Sequence, residues 1–264
     1  IVAGSVFWGT ASGSFYTVDG KQRYINSGKI KISRTTDNEN YYFSLTGSNL
    51  STTTAEGSTA SGTMQMKHMM QVRFDGTVIR NCEVNSTAME RSMKYSIYLP
   101  DGYEEGDDFP ILYLLHGYGD ENNAWIDKGM LLKTAYSHEK KGGKPMIVVC
   151  PDGLTEFYLG RWETYMYEEL MPLIESTYKF NGKRAVAGLS MGGYGTLYYW
   201  SKYPEMYCYA YAMSPAVDVT GTAGILANKD KDILPALTIE TGIQDSTTPL
   251  AGITEFHNYL VSEG

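Results

Sequence analysis

Apolar positions recur in two rhythms, and the change between them divides the chain. Up to about residue 66 they come in short alternating runs, such as Lys29-Ile30-Lys31-Ile32-Ser33 and Tyr41-Tyr42-Phe43-Ser44-Leu45. Alternation at every second residue marks strands with one covered face. The polar cluster Asp37-Asn38-Glu39-Asn40 between these runs suits a hairpin turn. No helical period is present, so residues 1–66 read as a small antiparallel β unit of about three to five strands. A second polar stretch, Ser51 to Gly62, reads as a long loop or linker.

Residues 67–264 have a different texture. Val72 to Val84 and Ser92 to Leu99 alternate and predict antiparallel strands closed by Pro100-Asp101-Gly102. Pro110 to Leu115 and Met146 to Cys150 are instead continuous apolar runs, as expected of strands buried on both faces. Helical stretches are predicted over Met130 to Glu139, over Glu163 to Tyr178 with Pro172 as an interruption, and over Thr254 to Val261. Further strands are expected over Lys183 to Ala187, Cys208 to Met213 and Ala236 to Glu240. Strands alternating with helices imply an α/β class, a mostly parallel sheet covered on both faces.

Composition narrows the functional classes. With 42% hydrophobic and 20% charged residues over 264 positions, the chain has the make-up of a soluble globular protein with a sizeable core. A formal charge of −8 argues against nucleic acid or an anionic membrane as partner. No run of about 18 apolar residues is available to span a bilayer. The three cysteines form no disulfide framework. Cys150 and Cys208 read as buried thiols and Cys82 as a strand residue. The opening Ile1, with neither Met nor a charged-plus-apolar leader, reads as lying downstream of the natural start. The 22 Tyr and four Trp suit surfaces for sugar or aryl ligands, although most of these rings are expected in the core. Phe7, Trp8, Phe15 and Tyr16 read as packing residues rather than a sugar-binding face, and the acidic turn as solvated rather than calcium-binding.

The chemistry centres on Gly188-Leu189-Ser190-Met191-Gly192, a G-x-S-x-G pattern between a predicted strand and the helix that runs on to Tyr203-Pro204. A strand turning sharply into a helix lifts the serine hydroxyl clear of the sheet and aims the next N–H at a reacting carbonyl. Ser190 is thus the candidate nucleophile and Met191 a candidate oxyanion donor. A serine needs a base and an acid that orients the base. Asp245, in Thr241-Gly242-Ile243-Gln244-Asp245 after a strand, is the candidate acid, and Asp218 is its competitor. The turn His116-Gly117-Tyr118-Gly119 follows a buried strand and offers the second oxyanion N–H from Tyr118, with Gly117 as the fallback. Of the four histidines, His68 precedes the α/β region, His116 opens the glycine turn, and His138 ends a surface helix. His257 follows the acid but lies within a predicted helix. The base is therefore expected on a loop after one more strand, beyond Gly264.

Taken together, Tyr98-Leu99-Pro100-Asp101-Gly102-Tyr103, Leu114 to Gly119, Trp125, Pro151-Asp152-Gly153, Glu168-Glu169-Leu170, Gly188 to Gly193 and Gly242 to Asp245 resemble the putative-esterase (esterase D-like) family. That family includes feruloyl and acetyl-xylan esterases of the first carbohydrate esterase family. The resemblance covers roughly residues 85–264 and departs at its end, where the family's glycine-histidine loop is missing. It implies an α/β-hydrolase fold, Ser190 as nucleophile, Asp245 as acid, Tyr118 and Met191 as the oxyanion hole, and Trp125 at the substrate. It also implies no cofactor or metal, a secreted or periplasmic location, and hydrolysis of feruloyl or acetyl esters on plant-wall xylan. The competing readings are an esterase or thioesterase on small intracellular esters, a peptidase, or a carbohydrate-binding pseudoenzyme.

Overall fold

The computed structural model describes residues 7–10, 15–18, 21–36, 40–54 and 59–73 by their backbone, and residues 74–104, 108–217, 234–248 and 250–262 with side chains. Chain contacts divide it into two units, Ile1–Phe74 and Asp75–Gly264. The first is an antiparallel sheet of five strands, β1 (Phe7–Thr10), β2 (Phe15–Val18), β3 (Lys21–Thr36), β4 (Asn40–Thr54) and β5 (Thr59–Arg73). β3 and β4 pair up to Thr36 opposite Tyr41, bracketing the polar cluster, whose residues 37–39 lie outside the described residues.

Two sequence expectations change here. Residues 51–54 and 59–62, read as loop, are strand, because Ser51 to Thr53 pair with Thr59 to Ser61 across β4 and β5. Ser and Thr are compatible with strands, and the ladder overrides a loop reading based on polarity alone. The boundary at residue 66/67 falls inside β5, whose pairing with β4 continues to Arg73 opposite Asn40. The side chains of Phe7, Trp8, Phe15, Tyr16 and His68 lie outside the described residues.

The second unit holds a seven-stranded sheet in the order β12-β11-β10-β8-β9-β7-β6. β6 (Thr77–Ser86) and β7 (Arg91–Leu99) form an antiparallel hairpin at one edge. β8 (Phe109–Leu115), β9 (Ile147–Pro151), β10 (Phe180–Leu189), β11 (Tyr209–Met213) and β12 (Ala236–Glu240) are mutually parallel. Ile111, Tyr113 and Leu115 on one face of β8 are at most 1% exposed and Leu114 on the other is 7% exposed, while Ile147 to Cys150 of β9 are at most 2% exposed, which accounts for their continuous apolar runs. From β8 the chain passes through α1 (Ala124–Asp127) and α2 (Leu131–Lys140) to β9 on one side. It then returns to β10 on the other side of β8. The strand order therefore reverses between β8 and β10, where open α/β sheets form a crevice at the carboxyl ends of their strands.

The return connection is helical but irregular. α3 (Arg161–Thr164) passes into a π-helical turn (Tyr165–Leu170) and then α4 (Met171–Thr177). The Met171 N–H reaches back to the Met166 carbonyl, one residue further than in an α-helix. Pro172 stands at this seam; it has no N–H to donate and crowds the carbonyl four residues earlier. The widened turn leaves Trp162, Tyr165, Met166 and Leu170 fully buried against the sheet. α5 (Met191–Lys202) follows β10, and α6 (Leu250–Ser262) follows β12. α6 buries Phe256 against Leu197 and Ala212.

A buried polar knot ties the edge hairpin to α1. Asn81 adopts φ 55° at a register shift in β6, a conformation that Asn tolerates better than most residues. Its Oδ1 accepts from Asn122 and Asn123 Nδ2 at 3.1 and 2.9 Å. Ser96 Oγ, fully buried, accepts from Asn122 Nδ2 at 2.8 Å and from the Asn81 N–H at 3.2 Å, and donates to Asn123 Oδ1 at 2.9 Å. Ser96→Ala removes the acceptor of the Asn81 N–H and one acceptor of Asn122 Nδ2, and should lower the unfolding free energy by about 1–3 kcal/mol. Urea denaturation checks this; an unchanged midpoint would show that the knot adds nothing to stability.

Candidate active site

Ser190 sits between the last residue of β10 and the first of α5, at φ 55° and ψ −111°. A non-glycine residue in this region is strained and persists only where its surroundings over-determine it. Here they do. The Ser190 N–H donates to the Met213 carbonyl at 2.9 Å, and the Ser190 carbonyl accepts from Tyr194 N–H at 2.9 Å and Ala216 N–H at 3.0 Å. The glycines around it leave no room for a side chain. A Cβ on Gly188 would lie 2.2 Å from the Gly192 carbonyl oxygen, and one on Gly192 would lie 2.4 Å from the Leu115 oxygen. A Cβ on Gly193 would meet Pro215 Cα at 2.8 Å.

This packing draws the end of β8 against the elbow. A Cβ on Gly117 would stand 3.7 Å from Ser190 Cβ, so the His116-Gly117-Tyr118-Gly119 turn borders the serine directly. Met191 is the first residue of α5, and its N–H is among those at a helix start that have no intrahelical acceptor. The Tyr118 N–H also meets no acceptor among the described residues. Met191 is buried, whereas the Tyr118 ring is 66% exposed. Both predicted oxyanion donors thus stand on the two segments that flank Ser190.

Asp245 lies in the loop after β12, on the same edge of the sheet. Its Oδ1 accepts from the N–H groups of Thr247 and Thr248 at 2.8 and 2.9 Å, and its Oδ2 accepts from the Thr248 hydroxyl at 2.7 Å. The two bonds from Thr248, then the Ser214 hydroxyl and the Thr247 N–H, hold its carboxyl well below the usual aspartate range. Ser214 follows β11 directly and its N–H donates to the Glu240 carbonyl at 2.6 Å, so Asp245 is linked to the elbow through the strand between them. Asp218 lies outside the described residues.

None of the described histidine side chains stands at Ser190. His257 projects from α6 into solvent. His138 Nε2 bonds the Lys144 carbonyl at 3.1 Å at the end of α2. His116 is 2% exposed and engaged on both ring nitrogens, Nδ1 with the Gly117 carbonyl at 2.7 Å and Nε2 with the Gly153 N–H at 2.8 Å. Among the described residues the Ser190 hydroxyl has no hydrogen-bond partner. No group of three or more His, Cys, Asp or Glu stands together among them to hold a metal ion.

Trp125, on α1, is half-buried and spends its indole N–H on the Leu115 carbonyl at 3.0 Å, just before the glycine turn. A feature not read from the sequence lies on the other side of that turn. The rings of Tyr118 and Phe157 have centroids 6.2 Å apart, and Phe157 meets Tyr194 edge-on at 5.8 Å. Leu154, Phe157 and Tyr158 all have positive φ in this loop after β9, held in place by the fully buried Tyr158 ring. The only sequence signal for this strip is a pair of aromatics shortly after Pro151-Asp152-Gly153.

The cysteines are free. Cys150 is buried, and burial pushes its thiol up to about 12, so it is unreactive. Cys208, read as buried, is exposed: it precedes β11 at the solvent edge, where its Sγ contacts the Arg184 carbonyl at 3.1 Å. No described helix is long and apolar enough to cross a membrane.

Comparison with known proteins places this geometry among relatives. The family model described as "Putative esterase" matches residues 86–233, more than half of the chain. An esterase of Mycobacterium tuberculosis is 37% identical over 122 residues, which are 41% of this chain and 26% of that protein. An endo-1,4-beta-xylanase/feruloyl esterase of Xylanibacter ruminicola is 33% identical over 136 residues, 43% of this chain and 18% of that one. The matches span only about a quarter or less of these relatives' lengths. A solved ferulic acid esterase superposes with a TM-score of 0.64 at 24% identity, over 72% of this chain and 87% of its own, and so shares the α/β-hydrolase fold.

The Asp245 bonds make a pH prediction. Their contribution to stability is fully present above the ordinary aspartate value of about 3.9, and is lost as pH falls through the lower native value. The stability difference between the native chain and Asp245→Ala should therefore be constant above that pH and shrink below it. Urea unfolding of both from neutral pH downward reads this; a difference that grew on acidification would refute the assignment.

Proposed function

This chain belongs to the putative-esterase family, and on that premise we propose that it is a serine carboxylesterase that releases aromatic acyl groups, of the feruloyl class, from plant-wall xylan. The observation that carries the proposal is Ser190, held at positive φ between strand and helix in the crevice where the strand order reverses. Ser190 Oγ attacks the ester carbonyl, and the developing oxyanion is received by the N–H groups of Met191 and Tyr118. The sugar leaves as its alcohol, and water hydrolyses the acyl-enzyme. Asp245 orients the base, a histidine outside the described side chains. Action on wall polysaccharide places the enzyme outside the cytoplasm.

The strip formed by Tyr118, Phe157 and Tyr194 favours an aryl acyl group over acetyl. Flat rings offer an apolar, quadrupolar surface to another ring and little to a methyl group. Trp125, with its N–H committed to Leu115, contributes its ring face at most.

In the full natural chain, Ser190→Ala should abolish release of both feruloyl and acetyl groups. Asp245→Asn should lower kcat by roughly 10⁴-fold, as in a serine protease triad. Phe157→Ala should raise KM for a feruloyl ester by about 2–10-fold, the worth of one aromatic contact, and leave the acetyl ester unchanged. Steady-state kinetics on matched feruloyl and acetyl xylo-oligosaccharides reads all three. Activity surviving in Ser190→Ala would remove the proposal; equal effects of Phe157→Ala on both esters would return the acyl group to acetyl.

A further inference from the structure

His116 is buried in the turn that borders the nucleophile, and neither ring nitrogen is free to act as a base. The Gly153 N–H donates to Nε2 at 2.8 Å, so Nε2 carries a lone pair and the proton resides on Nδ1. Nδ1–H then donates to the Gly117 carbonyl at 2.7 Å. Asp152 Oδ1 lies 3.6 Å from Nε2, beyond hydrogen-bond distance. The His116 carbonyl accepts from the Tyr158 hydroxyl at 2.8 Å, and the Tyr158 carbonyl accepts from the Tyr199 hydroxyl at 2.5 Å. Both tyrosine rings are fully buried. The imidazole is thus fixed in place, orientation and tautomer by partners from the loop after β9 and from α5.

The Gly117 carbonyl belongs to the same planar peptide unit as the Tyr118 N–H. In a trans peptide the two groups point in opposite directions. Fixing the carbonyl toward His116 and toward the Asp120 N–H, 3.2 Å away, fixes the Tyr118 N–H on the opposite side. That N–H has no protein acceptor among the described residues. Gly117 and Gly119, the latter at φ 79°, flank Tyr118, so the peptide would rotate at little cost if nothing held it.

We infer that His116 is the positioning residue of the oxyanion pocket, its Nδ1–H holding the Gly117–Tyr118 peptide so that the Tyr118 N–H faces the oxyanion. This rests on the reading of Ser190 as nucleophile. His116 touches no reacting atom; it acts through the peptide plane. Its effect therefore belongs to the transition state, where the carbonyl oxygen becomes charged, and not to ground-state binding.

The test uses the full natural chain with His116→Leu, which removes the donor, and His116→Asn, whose amide N–H can replace Nδ1–H. His116→Leu should lower kcat by at least tenfold, towards the about 10²–10³ that one lost oxyanion donor costs, with KM within about threefold. Affinity for an aryl trifluoromethyl ketone, whose adduct with the serine carries an oxyanion, should fall by the same factor as kcat. His116→Asn should recover kcat to within about tenfold of the native value. In the native chain, ¹⁵N-histidine NMR should show His116 as the Nδ1–H tautomer. An Nε2–H tautomer would overturn the inference whether or not the variants fold. So would His116→Leu with native kcat, or a kcat loss with unchanged affinity for the ketone. If Ser190→Ala is inactive while His116→Leu is native-like, this inference alone fails; if Ser190→Ala is active, the underlying reading fails first.

Discussion

The close approach of two backbones governs this site. The first turn of α5 lies so near the end of β8 that a single methyl on Gly192 would press within 2.4 Å of the Leu115 carbonyl and 2.7 Å of the His116 carbonyl. Gly188 lets β10 approach the same turn of α5, and Gly193 of that turn lets the segment after β11 approach it. Three strands and a helix are thereby drawn to one point, and Ser190 occupies it at positive φ. The strain at Ser190 is a consequence of that convergence and is spread over the packing of the surrounding core.

The same convergence gives the site its electrostatics. Two segments that are distant in sequence, the turn after β8 and the start of α5, place beside one hydroxyl N–H groups that meet no acceptor among the described residues. Free N–H groups in a preformed arrangement stabilise developing negative charge without reorganising as the reaction proceeds. The glycine turn would be a loose partner by itself. It is stiffened through His116, Tyr158 and Tyr199, a sequence of bonds that leads from the glycine turn into the buried aromatic group around Trp162. Core packing and catalytic geometry are in this sense one network.

Half-buried carboxylates tie the helical connection between β9 and β10 to the sheet. Glu169, in the π-helical turn, accepts from the Thr87 and Ala88 N–H groups at 2.9 and 3.0 Å and so holds the hairpin between β6 and β7. Glu175 of α4 pairs with Arg184 of β10 and accepts from the Tyr113 hydroxyl at 3.2 Å. Each contact joins the connection between β9 and β10 to the sheet it crosses.

Local rules sufficed for much of this. Apolar runs at Pro110 to Leu115 and Met146 to Cys150 identified buried strands, because burial on both faces leaves no room for alternation. Gly188 to Gly192 identified the elbow, because only glycine permits such crowding, and the place of Asp245 in a loop after a strand was legible too. Where local polarity competed with long-range pairing, it misled: Ser51 to Thr54 and Thr59 to Gly62 read as loop but are strand, and Cys208 read as buried but is exposed. The Tyr118, Phe157 and Tyr194 strip, the tautomer of His116 and the clamp from Glu169, 82 residues from Thr87, carry no sequence period at all. The sequence by itself determined the apolar strands and the helices of the α/β unit and which serine stands at a strand-to-helix turn, since those depend on neighbours along the chain. Only the tertiary structure decided which side chains meet, because the sheet order places β8 between β9 and β10 and so sets contacts that no spacing in the sequence encodes.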